Sequence, residues 1–292
     1  MTNFKVLPGL ASVAEHYDGF ILDLWGVLHD GERACPGVED CLKRLLAIGK
    51  KVCLLSNAPR RNQGVVEKLN GMGLTPDFYN ALVTSGEATR EALQTPSDDW
   101  HRALGARCLH IGPDRDRDVM LSVSRLIPVT DVEQADFLLN SGPVSYDDLL
   151  EDYDPLLQRA VARGLPMVCA NPDLEVMVGA RRVICAGALA QRYECFGGSV
   201  RSHGKPYPEV YRRCSVLMGD IDGRRLLAIG DSLRTDVAGA VAAGIDAALV
   251  VGGIHLERVG GVWGDMPDAA RLAAFIDESP VKPHIVLPRL VW

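Results

Sequence analysis

Short apolar runs alternate with amphipathic stretches along most of the chain, and several of the runs end on a polar residue. Phe20-Ile21-Leu22 closes on Asp23, and Gly26 follows. This is the pattern of a buried strand that delivers a carboxylate to its C-terminal end before a turn. Pro36-Gly37 opens a helix whose apolar face holds Val38, Leu42, Leu45 and Leu46, and Gly49 ends it. Residues 51–55 form the next strand, closing on Ser56-Asn57, and a helix runs on to Gly71–Gly73. Residues 81–85 predict a third strand, followed by a helix from Gly86 to Leu93. Strands alternating with helices imply βαβ units and a parallel sheet. Residues 1–19 predict only a short helical lead-in.

Gln94-Thr95-Pro96-Ser97-Asp98-Asp99 is a polar joint containing a proline. Beyond it the pattern predicts a second α/β unit. Its strands fall at 107–111, 136–140 and 166–170, its helices near 115–126 and 146–163, and a further strand at 181–187. This unit ends near Gly197-Gly198-Ser199. From Ser202 the first texture returns. Lys205-Pro206 leads into a helix at 208–218, and a strand at 225–229 ends on Gly230-Asp231-Ser232. A small-residue helix at 235–244 and a strand at 247–251 follow. Near the C-terminus, an apolar run lies between Pro283 and Pro288, and the two prolines favour an edge strand. The expected architecture is an α/β, Rossmann-like parallel-sheet core, residues 1–97 and 201–292, interrupted by an inserted α/β domain at 98–200.

Composition narrows the function. The chain has 292 residues, 47% of them hydrophobic, enough for a full core, and a formal net charge of -7. That balance argues against a nucleic-acid partner. No apolar run is long enough to cross a membrane. The N-terminus carries no secretory apolar region. The eight cysteines are scattered, with no C-x-x-C pair and no Cys/His cluster at zinc spacing. They read as small buried hydrophobes in a reducing cytoplasm.

Three strand ends carry polar groups: Asp23, Ser56-Asn57 and Asp231. If the strands neighbour one another, these groups meet in one cleft outside the carboxyl ends of the sheet. Lys205 and Asp236, at helix starts, flank it. Two carboxylates, a basic residue, a hydroxyl and strand-end amides suit a Mg²⁺-assisted phosphate site, and a carboxylate can itself be a nucleophile. Taken singly, each has a plainer reading as a turn or cap residue. In the inserted domain, Asn171-Pro172-Asp173 follows a strand. There an Asx turn and a loop reaching the cleft are equally open. Arg181 and Arg182 read as solvent-facing, and Trp100 and Trp263 as packing residues.

At these residues the chain resembles the haloacid dehalogenase-like (HAD) hydrolase superfamily. Asp23-Leu24-Trp25-Gly26-Val27-Leu28 matches its first motif except at the third place. Leu54-Leu55-Ser56-Asn57 matches the second, Lys205-Pro206 the third, and Gly230-Asp231-Ser232-Leu233-Arg234-Thr235-Asp236 the fourth. The insertion between the second and third motifs resembles subclass IIA, the NagD-like and p-nitrophenyl-phosphatase-like branch with an α/β cap. The resemblance implies a Mg²⁺-dependent phosphatase of a small phosphorylated metabolite, with Asp23 as nucleophile and an aspartyl-phosphate intermediate. It also implies metal ligands in Asp23, the Trp25 backbone carbonyl and Asp231, with Asp236 orienting metal-bound water. By the same resemblance Ser56, Asn57 and Lys205 would hold the phosphoryl group and a homodimer through the cap is open to the subclass, while Asn171 and Asp173 are substrate-binding candidates only if their loop reaches the cleft.

Trp25 departs from the pattern. The family's phosphatases carry there an aspartate that protonates the leaving oxygen, help typically worth about 10²–10⁴ in rate. An indole N–H donates a hydrogen bond but no proton. Three readings follow, ranked in this order. The protein is a phosphatase acting on substrates with good leaving groups, or recruiting His29 or a cap residue as the acid. Or it has lost catalysis and binds a phosphorylated ligand or a protein. Or it is a metal-independent 2-haloacid dehalogenase, since those enzymes also carry an aromatic residue two after the nucleophile.

Overall fold

The structure is a computed structural model and describes residues 4–178 and 181–292. In chain order, the first stretch holds β1 (Lys5–Val6), β2 (Gly19–Leu22), α1 (Val38–Ala47), β3 (Lys51–Ser56), α2 (Asn62–Gly71), β4 (Ala81–Thr84) and α3 (Ser85–Gln94). Next come α4 (Asp99–Arg102), β5 (Arg107–Ile111), α5 (Asp118–Leu121), β6 (Ile127–Val129), β7 (Phe137–Asn140), α6 (Asp154–Ala162) and β8 (Pro166–Cys169). A hairpin of β9 (Glu175–Val178) and β10 (Arg181–Ile184) precedes α7 (Ala186–Cys195) and β11 (Ser199–Ser202). The last stretch holds α8 (Pro208–Leu217), β12 (Leu226–Gly230), α9 (Ala238–Ala242), β13 (Asp246–Val250), α10 (Ala269–Asp277) and β14 (Ile285–Leu287). No helix among the described residues is long and apolar enough to cross a membrane.

The chain forms two compact units: Met1–Ser56, Val66–Val83 and Lys205–Trp292 make the first, Asn57–Val65 and Thr84–Gly204 the second. The first is built on a seven-stranded sheet in the order β1-β14-β13-β12-β2-β3-β4. Its pairings from β1 through to β3 are parallel. Every residue of β2 and of β12 is buried, as strands covered on both faces require. β2 is the switch point: the chain leaves it for β3 on one side and returns to β12 on the other. Helix α1 begins at Gly37, whose φ of 90° and closeness to the Val291 side chain leave no room for a larger residue. It buries Val38, Cys41, Leu42 and Leu45 along one face.

The second unit is a five-stranded parallel sheet in the order β11-β8-β7-β5-β6. Strand alternation divides its core. Leu109, Ile111, Leu138, Met167 and Cys169 face one apolar cluster with α6 and α7. Cys108, Phe137, Leu139, Val168 and Ala170 face the other.

Several elements differ from the pattern-based expectation. Residues 1–3 of the predicted lead-in lie outside the described residues, and the rest contains β1 and a single 3₁₀ turn, Ala14–His16, instead of a helix. Helix 146–163 begins only at Asp154, where Pro155 suits the first turn. The helix near 115–126 shrinks to α5 after a 3₁₀ turn. Residues 181–184 pair antiparallel with β9 instead of joining the sheet, and 186–195 are helical. The C-terminal run is no edge: β14 lies between β13 and β1 and is fully buried. Pro283 and Pro288 flank its three residues, so no ladder N–H is lost.

Phe137 has no exposed surface and sits on the middle strand of the second sheet. Phe137→Ala is expected to cost about 3–5 kcal/mol in chemical denaturation; a cost within the ~0.5 kcal/mol typical of surface sites would contradict this packing.

Candidate active site

The site in the first unit is assembled from the ends of adjacent strands. The Asp23 N–H donates to the Ile229 carbonyl (2.9 Å), so Asp23 is the first residue past β2 and still tied to β12. Asp231 is the first residue past β12, and Ser56 the last of β3. In the order β12-β2-β3 three parallel strands therefore end side by side on Asp231, Asp23 and Ser56. Asp236 arrives by a different route. After Asp231 the chain enters a π-helical turn, Leu233–Val237, that runs directly into α9. Such turns concentrate at functional sites.

Lys205, three residues before α8, closes the arrangement. Its ammonium donates to Asp23 Oδ1 (2.6 Å) and Asp236 Oδ1 (2.7 Å). All of these side chains are buried, Lys205 with 3% of its surface exposed. Carboxylate oxygens of Asp23, Asp231 and Asp236 lie within 4.8 Å of one another. Burial, with the nearby charges of Asp23 and Asp236, pushes the Asp231 carboxyl well above the usual range, against the opposing help of the Ile254 N–H and Lys205. That N–H donates to Asp231 Oδ2 at 2.8 Å.

Glycines make the crowding possible. A Cβ on Gly26 or Gly253 would overlap the Asp231 carboxylate, and one on Gly230 would overlap that of Asp236. Gly26 also needs its φ of 72°. Sequence reasoning missed Gly253 and Ile254 as parts of the site; the Gly252-Gly253 pair after an apolar strand was the available signal.

Trp25 is half-buried and engaged on several sides. Its ring lies against Gly31, where a Cβ would overlap it. The His29 ring meets it edge-on, centroids 5.2 Å apart. The Lys68 ammonium stands 4.5 Å from its ring centroid. The main chain turns back here: the Gly26 N–H donates to the His29 carbonyl (2.9 Å) and the His29 N–H to the Leu24 carbonyl (3.0 Å). This pairing leaves the Trp25 carbonyl out. His29, which the sequence offered beside a cap residue as a possible acid, is buried. Burial, followed by the charge of Lys68, lowers its pKa to about 4. Its Nδ1 accepts the Gly31 N–H at 3.0 Å, a bond only the unprotonated nitrogen can make.

Asn57, Asn171 and Asp173 belong to the second unit. Asn171 forms the Asx turn, its Oδ1 accepting the Asp173 N–H (3.0 Å). Asn57 Nδ2 donates to Asp173 Oδ1 (3.0 Å), so these three candidates form one hydrogen-bonded group. The loop is anchored on the start of α7, where the Gly187 N–H donates to the Asp173 carbonyl (3.0 Å). Arg181 and Arg182 are tied into exposed ion pairs with Asp147 and Glu175.

The raised Asp231 makes a pH prediction. Its folded pKa lies above its unfolded value, so the penalty of ionising it is absent at low pH and grows as pH rises through the folded value. With divalent ions chelated, Asp231→Asn should melt higher than wild type at about pH 8. Asn still accepts from the Ile254 N–H. The difference should vanish below about pH 4, where the carboxyl is protonated in both states. Parallel melting curves across this range would mean Asp231 is not destabilised by its neighbours.

Residues 20–124 match the model of the haloacid dehalogenase-like hydrolases, and residues 202–289 a HAD-hydrolase-like model. The chain is 27% identical over 250 residues to the D-glycerol 3-phosphate phosphatase of Mycobacterium tuberculosis, covering 84% of this chain and 66% of that one. It is 27% identical over 239 residues to the ribonucleotide monophosphatase NagD of Escherichia coli, covering 80% and 87%. A haloacid dehalogenase-like hydrolase from Brucella suis 1330 superimposes with a TM-score of 0.82 at 32% identity, over 98% of this chain and 100% of that one. With two family models matched in order along the chain and this whole-chain relative, the chain belongs to the haloacid dehalogenase-like hydrolases, on the subclass IIA branch that includes NagD.

Proposed function

We propose that this hydrolase is a Mg²⁺-dependent phosphatase of a small phosphorylated metabolite, acting through an aspartyl-phosphate on Asp23. The observation that carries the reading is the charge balance at the strand ends. Three buried carboxylates share one space with one lysine. The raised Asp231 marks a site short of positive charge. An all-oxygen donor set short of cationic charge fits a hard divalent ion. The phosphatase names of the mycobacterial and Escherichia coli relatives support the substrate class.

In this reading Asp23, the Trp25 carbonyl and Asp231 would hold Mg²⁺, with Asp236 nearby. When bound, the ion offsets charge on the phosphoryl oxygens. The chain's own residues do the rest. Lys205 holds the Asp23 carboxylate by a 2.6 Å hydrogen bond and carries positive charge to the equatorial oxygens. Ser56 and Asn57, at the end of β3, donate to those oxygens, and Asn171 and Asp173 of the inserted domain, residues 98–200, are kept as candidate substrate residues. An Asp23 oxygen bonds to phosphorus as the bond to the leaving oxygen breaks. Water then attacks the same phosphorus and releases the carboxylate.

Trp25 and a neutral His29 leave no proton donor in the turn after β2. The substrates favoured are therefore those whose leaving group departs without protonation, such as acyl or aryl phosphates. The test is a panel of acyl, aryl and alkyl phosphates and 2-haloacids, with Mg²⁺ and with EDTA. Phosphate release from the acyl and aryl members is expected, lost in EDTA and in Asp23→Asn. Halide release insensitive to EDTA would replace the reading with dehalogenation, and Mg²⁺ binding without turnover would replace it with a binding role. Trp25→Asp should raise the alkyl phosphate rate relative to the aryl rate, by up to the ~10²–10⁴ of general acid help. An unchanged ratio would show that the missing acid does not set this preference.

A further inference from the structure

We propose that Tyr211 is a positioning residue that sets the Lys205–Asp236 pair. The inference rests on reading that pair as part of the phosphoryl site. Tyr211 lies on α8, one turn beyond the Lys205-Pro206 segment, and is 1% exposed. Its hydroxyl donates to the Asp236 carbonyl (3.0 Å) and is shared with that of Thr235 (3.3 Å). Both carbonyls belong to the π-helical turn that presents the Asp236 side chain. The phenol thus joins the two elements that carry the partners of the ion pair: α8 follows Lys205, and the turn holds Asp236. A buried hydroxyl without such partners is costly.

The neighbouring packing fits the same role. Gly239, in the first turn of α9, has no side chain, and a Cβ there would overlap the Tyr211 ring and approach the Pro206 Cα (2.9 Å). The close approach of α8 to α9 is what brings the phenol within reach of the turn. Burial also keeps the phenol protonated, its pKa well above the ordinary value, so it is a donor at any working pH.

The test is Tyr211→Phe, which keeps the ring and removes the donor, with Gly239→Ala as a second variant that keeps the hydroxyl and displaces the ring. Two signals are read: turnover on the best phosphate ester of the panel, and the Lys205 ammonium resonance in ¹⁵N-lysine NMR, assigned with Lys205→Met. The buried, doubly paired ammonium should be slow to exchange in wild type. Both variants should broaden or lose it. They should lower kcat about 10–100-fold, the loss expected when a reacting geometry shifts by about 1 Å, with KM within about twofold. A purely structural role would lower the melting temperature and leave both the resonance and kcat in place, and that result would overturn the proposal. If wild type hydrolyses no ester, the functional reading fails, and the Lys205 resonance alone still decides whether Tyr211 sets the pair.

Discussion

Three carboxylates and one ammonium share a buried space at the ends of β12 and β2, and this imbalance governs the rest of the site. A carboxylate is costly to bury unless it is paired. Lys205 pairs with two of the three, Asp23 and Asp236. Asp231 is left with a single amide bond from Ile254 and a strongly raised pKa. Removing the lysine would leave two buried charges facing each other, a change of the kind that costs about 3–5 kcal/mol. The fold accepts this strain because the parallel sheet has no other way to place loops from distant parts of the chain side by side. Residues 23, 56 and 231 meet only because β2, β3 and β12 are neighbours in register.

Much of this was legible before any coordinates. A strand buried on both faces writes a continuous apolar run, and the first polar residue after it marks the strand's end. That is why Asp23, Ser56 and Asp231 could be read from pattern alone. The helices of the first unit were legible for a similar reason: Val38, Leu42 and Leu45 repeat at helical spacing between two glycines. What escaped reading depends on partners distant in sequence. The hairpin of β9 and β10 looks, strand by strand, like one more member of a parallel sheet. β14 looked like an edge because prolines flank it, whereas two residues near the N-terminus, Lys5 and Val6, cover its outer side. Two residues carry no period for a pattern to reveal.

The surroundings of Trp25 were the least legible part of the site. From sequence it is only an absent acid. In the structure the indole has a place of its own, packed on Gly31, met by the His29 ring and overlain by Lys68. Burial first, and the lysine second, explain His29. A cation nearby and burial both disfavour the imidazolium, and Gly31 occupies Nδ1. Trp25, His29, Gly31 and Lys68 are thus one packing unit that shapes the turn after Asp23.

The small-residue stretch after Asp231 gains a sharper meaning from the same geometry. Read as sequence, Ala238-Gly239-Ala240 is close packing against a sheet. In the structure Gly239 is the place where Tyr211 and Pro206 come against α9. The π-helical turn just before it shifts the main chain by one residue relative to a regular helix, and Tyr211 bonds two carbonyls of that turn. Lys205 and Asp236 are 31 residues apart; one lies three residues before α8, the other in the π-helical turn before α9. The buried Tyr211 phenol ties α8 to that turn. The precision of the charge arrangement therefore depends on a residue that touches none of the three carboxylate groups.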